Sequence, residues 1–209
     1  MALIKTRTQT AKPVTEDERK QTRDCASLIS ELENTNPTVR RWAARDLTDC
    51  PDASSALASR LQREDDEAVR EIILTTLTSL GDEVAVAGLV ECLRSEEASL
   101  RNEAIEAMKQ LPDEVAPIML GLLADADPDV RIFAVNILES LRHPEVESWL
   151  ITVIESDPQL NVCATAVDLL GEVGSAAARE PLLRLKARYA DEPYIQFATD
   201  LALKRIAEG

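Results

Sequence analysis

Asp127-Pro128-Asp129-Val130-Arg131-Ile132-Phe133-Ala134-Val135-Asn136-Ile137-Leu138 is the stretch on which the fold turns. Val130, Ala134, Leu138 and the following Leu141 stand at offsets −1, +3, +7 and +10 from Arg131, which is one stripe of a 3.6-residue helix. Asp127 suits a helix N-cap, and Pro128 suits the first turn behind it. The pattern recurs upstream. Arg40, Arg70, Arg101 and Arg131 are spaced 30, 31 and 30 residues apart. Ala43, Ile73 and Ala104 hold the +3 offset, Leu47, Leu77 and Met108 the +7 offset, and Cys50, Leu80 and Leu111 the +10 offset. Downstream, Cys163 and Gln196 replace the arginine. Their stripes are Val162, Ala166, Leu170 and Val173, then Ile195, Thr199, Leu203 and Ile206. Pro51, Gly81, Pro112 and Gly174 stand at +11, where a helix would end. Asn36-Pro37 and Asp157-Pro158 repeat the opening punctuation.

Between these stripes lies a second amphipathic segment, as in Leu89, Val90 and Leu93, or Val146, Trp149, Leu150, Val153 and Ile154. The repeating unit is therefore helix–turn–helix. A pair this short cannot bury its own apolar face, but stacked pairs can. The expected fold is all-α, a right-handed α-solenoid of about six such repeats with about twelve helices.

The stretch 127–138 resembles the second helix of a HEAT repeat, in the short variety found in phycobilisome-lyase-like proteins, and the likeness covers roughly residues 20–209. The resemblance implies that first helices line the convex side and second helices the concave side. It also implies a structural ladder in which Arg40, Arg70, Arg101 and Arg131 pair with acids of neighbouring turns, with Asp66, Glu97 and Asp127 as candidates. Cys163 and Gln196 depart from that pattern, so the ladder is expected to stop before the last two repeats.

Composition removes several functions. The 209 residues carry 23 basic and 38 acidic side chains, a formal net charge of −15. Nucleic acid is excluded as a partner, because phosphate binding needs clustered Lys and Arg. Anionic membrane surfaces are disfavoured for the same reason, and no apolar run reaches the ~18 residues of a bilayer span. The apolar start of MALIKTRTQT is too short for a secretory signal. Cys25, Cys50, Cys92 and Cys163 form no CxxC and are expected to be buried, reduced thiols of a cytoplasmic protein. His143 is the only histidine and is expected on an exposed turn. No metal or cofactor is expected.

Residues 1–14 hold Lys5, Arg7 and Lys12 without an acid, and are expected to be a disordered basic tail. Two readings stay open for it: a solvated terminus, or a segment docking on the acidic body or a partner. Residues 15–209 are expected to form a single repeat domain, opened by a helix over 15–33 with Thr15 and Glu18 in capping-box spacing. Residues 193–207, with Asp200, Lys204 and Arg205, would close it with a polar cap.

Offsets +1, +2 and +5 point away from the stripe. They place Arg41, Trp42, Arg45, Ile72, Thr75, Glu103, Glu106, Phe133 and Asn136 on one face as candidate partner-binding residues. Trp and Arg are enriched at binding hot spots. The alternative is that Trp42, Ile72 and Phe133 tuck between helices and complete the core. The function expected is a non-catalytic protein-interaction scaffold whose protein or peptide partner is basic in character. The alternative that the resemblance implies is a phycobilin lyase-like or tetrapyrrole-handling chaperone.

Overall fold

The computed structural model describes residues 24–50 and 52–208, and every regular element among them is helical. Six pairs follow one another. They are α1 (Cys25–Glu31) with α2 (Pro37–Asp46), α3 (Ser54–Leu61) with α4 (Glu67–Leu80), and α5 (Glu83–Cys92) with α6 (Ala98–Met108). In the fourth pair the first helix is broken into α7 (Pro112–Val115) and α8 (Met119–Leu123), followed by α9 (Pro128–Leu138). The last pairs are α10 (Val146–Ser156) with α11 (Leu160–Val173), and α12 (Arg179–Arg188) with α13 (Pro193–Glu208).

These helices fall into two compact units that meet in sequence at Leu80 and Gly81. In the first unit, α1 packs on α2, and both α2 and α3 pack on α4. In the second, α11 packs between α9 and α13, while α5, α8, α10 and α12 support their own second helices. The helix expected over 15–33 is described only from Cys25, where Asp24 caps α1 by accepting from the Ser27 amide at 2.7 Å. The Thr15–Glu18 box and the tail 1–14 lie outside the described residues.

Asn36, Asp82 and Asp127 cap α2, α5 and α9, and Pro37 and Pro128 occupy first turns. These prolines fit because the first-turn amides have no carbonyl partner within the helix. Gly81 takes φ 58°, a left-handed turn that a side chain would strain.

The +3 stripe is buried in all six repeats. The +10 position divides by helix length. Cys50, Leu111 and Leu141, reached after the helix has ended, are buried. Leu80, Val173 and Ile206 lie on helices that run through the position and are more open, Val173 by 45%. A chain that leaves the helix folds its +10 residue back beneath the layer; a helix that continues carries it to the edge.

Candidate functional site

Arginine geometry sets the spacing between repeats. Arg40 is buried and grips Glu64 through Nε at 2.7 Å and Nη2 at 2.6 Å, while Nη1 donates to the Asn34 carbonyl at 2.8 Å. Arg131 repeats this with Asp157 at 2.6 and 3.0 Å and with the Asp125 carbonyl at 2.8 Å. Such forked pairs fix direction as well as charge. Arg101 keeps the equivalent carbonyl, Ser95 at 2.6 Å, and lies over the Phe133 ring at 5.9 Å. Arg70 is buried as well.

At the Arg40 and Arg131 rungs the acids differ from those expected. Asp66 accepts from the Val69 amide at the start of α4, and Asp127 accepts from Asp129, so both carboxylates are spent on helix starts. Glu64 and Asp157 take the guanidinium groups instead. Burial pushes the Glu64 carboxyl up, but hydrogen bonds from Arg40 and Arg60 outweigh it and hold the group at about 2. Arg188 reaches Cys163 and the Asp157 carbonyl, and Gln196 donates to the Lys186 and Tyr189 carbonyls at 2.9 and 3.0 Å. Carbonyl contacts thus continue through the last two repeats, where the arginine pattern ends.

The thiol expectation is corrected in the first unit. Cys25 and Cys50 form a disulfide with Cα atoms 5.7 Å apart, closing the first helix pair on itself. Their 25-residue separation belongs to no local motif, so only the packing of the pair brings them together. Cys92 and Cys163 are buried thiols outside that bond. His143 is also more enclosed than expected, being half-buried and stacked on Trp149 with ring centroids 4.9 Å apart. Among the described residues no group of His, Cys, Asp and Glu is arranged to hold a metal, and no helix is long and apolar enough to cross a membrane.

The second-helix face is mixed. In the first unit Arg41, Arg45 and Thr75 are exposed, and Trp42 and Ile72 are half-buried. Arg45 covers the Trp42 ring at 4.2 Å while pairing with Asp46 at 2.9 Å. The Thr75 hydroxyl donates to the Glu71 carbonyl of its own helix. In the second unit Glu106 is exposed, and Glu103, Phe133 and Asn136 are half-buried. Lys109 bridges Glu106 and Glu139 at 3.1 and 3.2 Å. Asn136 joins Val135, Leu169, Glu139, Asp168 and Glu172 in a cleft of about 210 Å³ with an apolar floor and three carboxylates.

The same offsets, carried into the last repeat, select residues that the reading of four repeats omitted. Phe197 at +1 and Leu201 at +5 are 66% and 38% exposed, and Tyr194 one turn earlier donates to Asp168 at 2.7 Å. The helix expected to close the chain with a polar cap therefore exposes an apolar stripe at i, i+3 and i+7. Lys204 and Arg205 continue that stripe one turn further on, while Asp200 lies beside it.

A family model for HEAT repeats matches residues 25–109 and again 115–204. The chain belongs to the HEAT-repeat family. No curated protein matches it. Among solved structures, this HEAT-repeat chain is similar to an archaeal HEAT-like repeats protein from Thermococcus onnurineus NA1. The identity there is 16%, over 88% of this chain and 87% of that one, with a TM-score of 0.47. It is also similar to the CpcE and CpcF complex of phycocyanin lyase from Nostoc sp. PCC7120, at 16% identity over 99% and 100% of the two chains and a TM-score of 0.38. A designed armadillo repeat protein in complex with the peptide (KR)4 matches at 17% identity over 88% and 100%, with a TM-score of 0.43.

Proposed function

We propose that this HEAT-repeat protein is a non-catalytic adaptor that holds an extended, basic stretch of a partner protein against its second helices. The observation that carries this reading is the pairing, within one unit, of the exposed Phe197 and Leu201 with the carboxylate-lined cleft of Glu139, Asp168 and Glu172, joined through Tyr194. An aromatic anchor beside a group of exposed acids is what a peptide with alternating apolar and basic side chains would use. In the first unit the Arg45–Trp42 stack supplies a further anchor of the hot-spot type. A tetrapyrrole suits the cleft poorly, since three carboxylates would repel its propionates.

Capture of the partner from native extract on immobilised protein, followed by calorimetry with the purified pair, tests the reading. Phe197→Ser with Leu201→Ser, and separately Trp42→Ala with Arg45→Ala, should each weaken binding by at least ~2 kcal/mol if these are anchors. Unchanged affinity in both double variants, with unchanged melting, overturns it.

A further inference from the structure

We infer that the second unit carries a separate docking trough on its first-helix side, shaped for an amphipathic helix of a partner protein with apolar anchors and basic flanks. The trough begins in the sequence. Pro117 stands inside what should be the first helix of the fourth repeat, where it removes an amide donor and clashes with the preceding turn. The helix accordingly breaks into α7, a 3₁₀ turn over Ala116–Ile118 and α8. Gly121 then presents no side chain, and a Cβ built there would meet nothing within 4 Å. The result is a hollow of about 660 Å³ between α5 and the broken helix, floored by Val86, Val90, Ile118 and Leu122.

Charge at the rim selects the occupant. Glu83, Glu91 and Glu114 line the hollow and are exposed. The one cation lining it, Arg94, is held by Asp125 through both guanidinium nitrogens at 2.6 and 3.2 Å. The rim is therefore acidic around an apolar floor. Beyond α8 the apolar surface continues. Leu120 is 61% exposed on the ridge, and a second hollow of about 390 Å³ lies past it against Trp149 and Val153. The ten-residue α5 gives the first hollow a length of about 15 Å, or nearly three helical turns. A helix laid there would seat anchors at i, i+3 or i+4, and i+7, with Lys or Arg on its flanks meeting the rim carboxylates. The face is built from different helices than the adaptor surface proposed above and does not depend on it.

The test uses the full chain and a fluorescein-labelled synthetic 18-residue helix with leucines on one face and lysines elsewhere, read by fluorescence anisotropy. Saturable binding is expected. Gly121→Trp should weaken it at least tenfold by filling the trough without changing any charge, and Glu83→Lys with Glu91→Lys should weaken it as well. Ser59→Ala, exposed on α3 of the first unit and outside both proposed faces, should bind like the wild type. Should Gly121→Trp melt early, Gly121→Leu fills the same space with a smaller side chain and is read alongside circular dichroism. Undiminished binding by the trough-filling variants overturns the inference, as does equal binding of a leucine–glutamate helix. Light scattering that finds a dimer dissolved by Gly121→Trp also overturns it, because the occupant would then be a second copy.

Discussion

Arg188 Nη2 stands 3.1 Å from Cys163 Sγ and donates to the Ile154 and Asp157 carbonyls at 3.0 and 3.2 Å. Cys163 occupies the position that carries arginine in four earlier repeats, and the cation arrives instead from α12 of the following repeat. Burial then pushes the Cys163 thiol up, with the nearby guanidinium opposing it. Arg188→Ala should cost about 1–3 kcal/mol by stranding those carbonyls. Arg184→Ala, on the same helix but in an exposed pair with Glu155, should cost at most about 1 kcal/mol. Urea midpoints of the two variants check the contrast, and equal losses would remove the substitute role of Arg188.

Arg131 and Arg101 share an offset but not a partner. Arg131 meets Asp157 with both side chains buried, so Arg131→Ala leaves a buried carboxylate and should cost roughly 3–5 kcal/mol. The residue that corresponds to Glu64 in the Arg101 repeat is Asp125, which Arg94 already holds. Arg101→Ala should therefore cost only about 1 kcal/mol, the loss of one carbonyl bond. Chemical denaturation of both variants decides whether the losses differ as expected.

Acid should unfasten the first unit through Glu64. Its folded value of about 2 lies below the ordinary 4.5, so its contribution is complete above pH 4.5 and is lost as pH falls toward 2. The displacement corresponds to about 3 kcal/mol at neutral pH. Glu64→Gln should melt well below the wild type at pH 7, and the gap should narrow between pH 4.5 and 2. A gap independent of pH would show that charge at Glu64 is not what stabilises the pair.

Reduction should loosen the same unit. A disulfide closing 25 residues removes about 3 kcal/mol of unfolded-chain entropy. Iodoacetamide added to denatured, unreduced protein should label two cysteines, Cys92 and Cys163, and dithiothreitol should raise the number to four while lowering the melting temperature. Four labels without reductant would return Cys25 and Cys50 to the thiol state expected from sequence.

Much of the architecture was legible because a helix writes its buried face at fixed offsets, and six copies of one stripe reinforce one another. Ala43, Ile73, Ala104, Ala134, Ala166 and Thr199 are all buried at +3. Contacts between repeats were less legible. Glu64 and Asp66 are both acidic and two residues apart, and only the position of the α4 start decides which one caps and which one meets Arg40. The Cys25–Cys50 bond depends on how the two helices of one pair settle, and the trough beside Gly121 on how neighbouring pairs settle, which no single stripe encodes. Phe197 and Leu201 were within reach, since the offsets that selected Arg41 and Arg45 select them too.

Because Arg188 serves the repeat before its own, the fifth and sixth pairs are not interchangeable modules. A copy of α10 and α11 moved elsewhere would arrive without its cation, and a chain trimmed after α11 would lose it. The fourth pair takes its acid, Asp157, from the turn after α10, so the debt runs from the fourth repeat through the fifth to the sixth. Shuffling whole repeats, the usual engineering route for solenoids, should succeed here only when such three-pair blocks are moved intact.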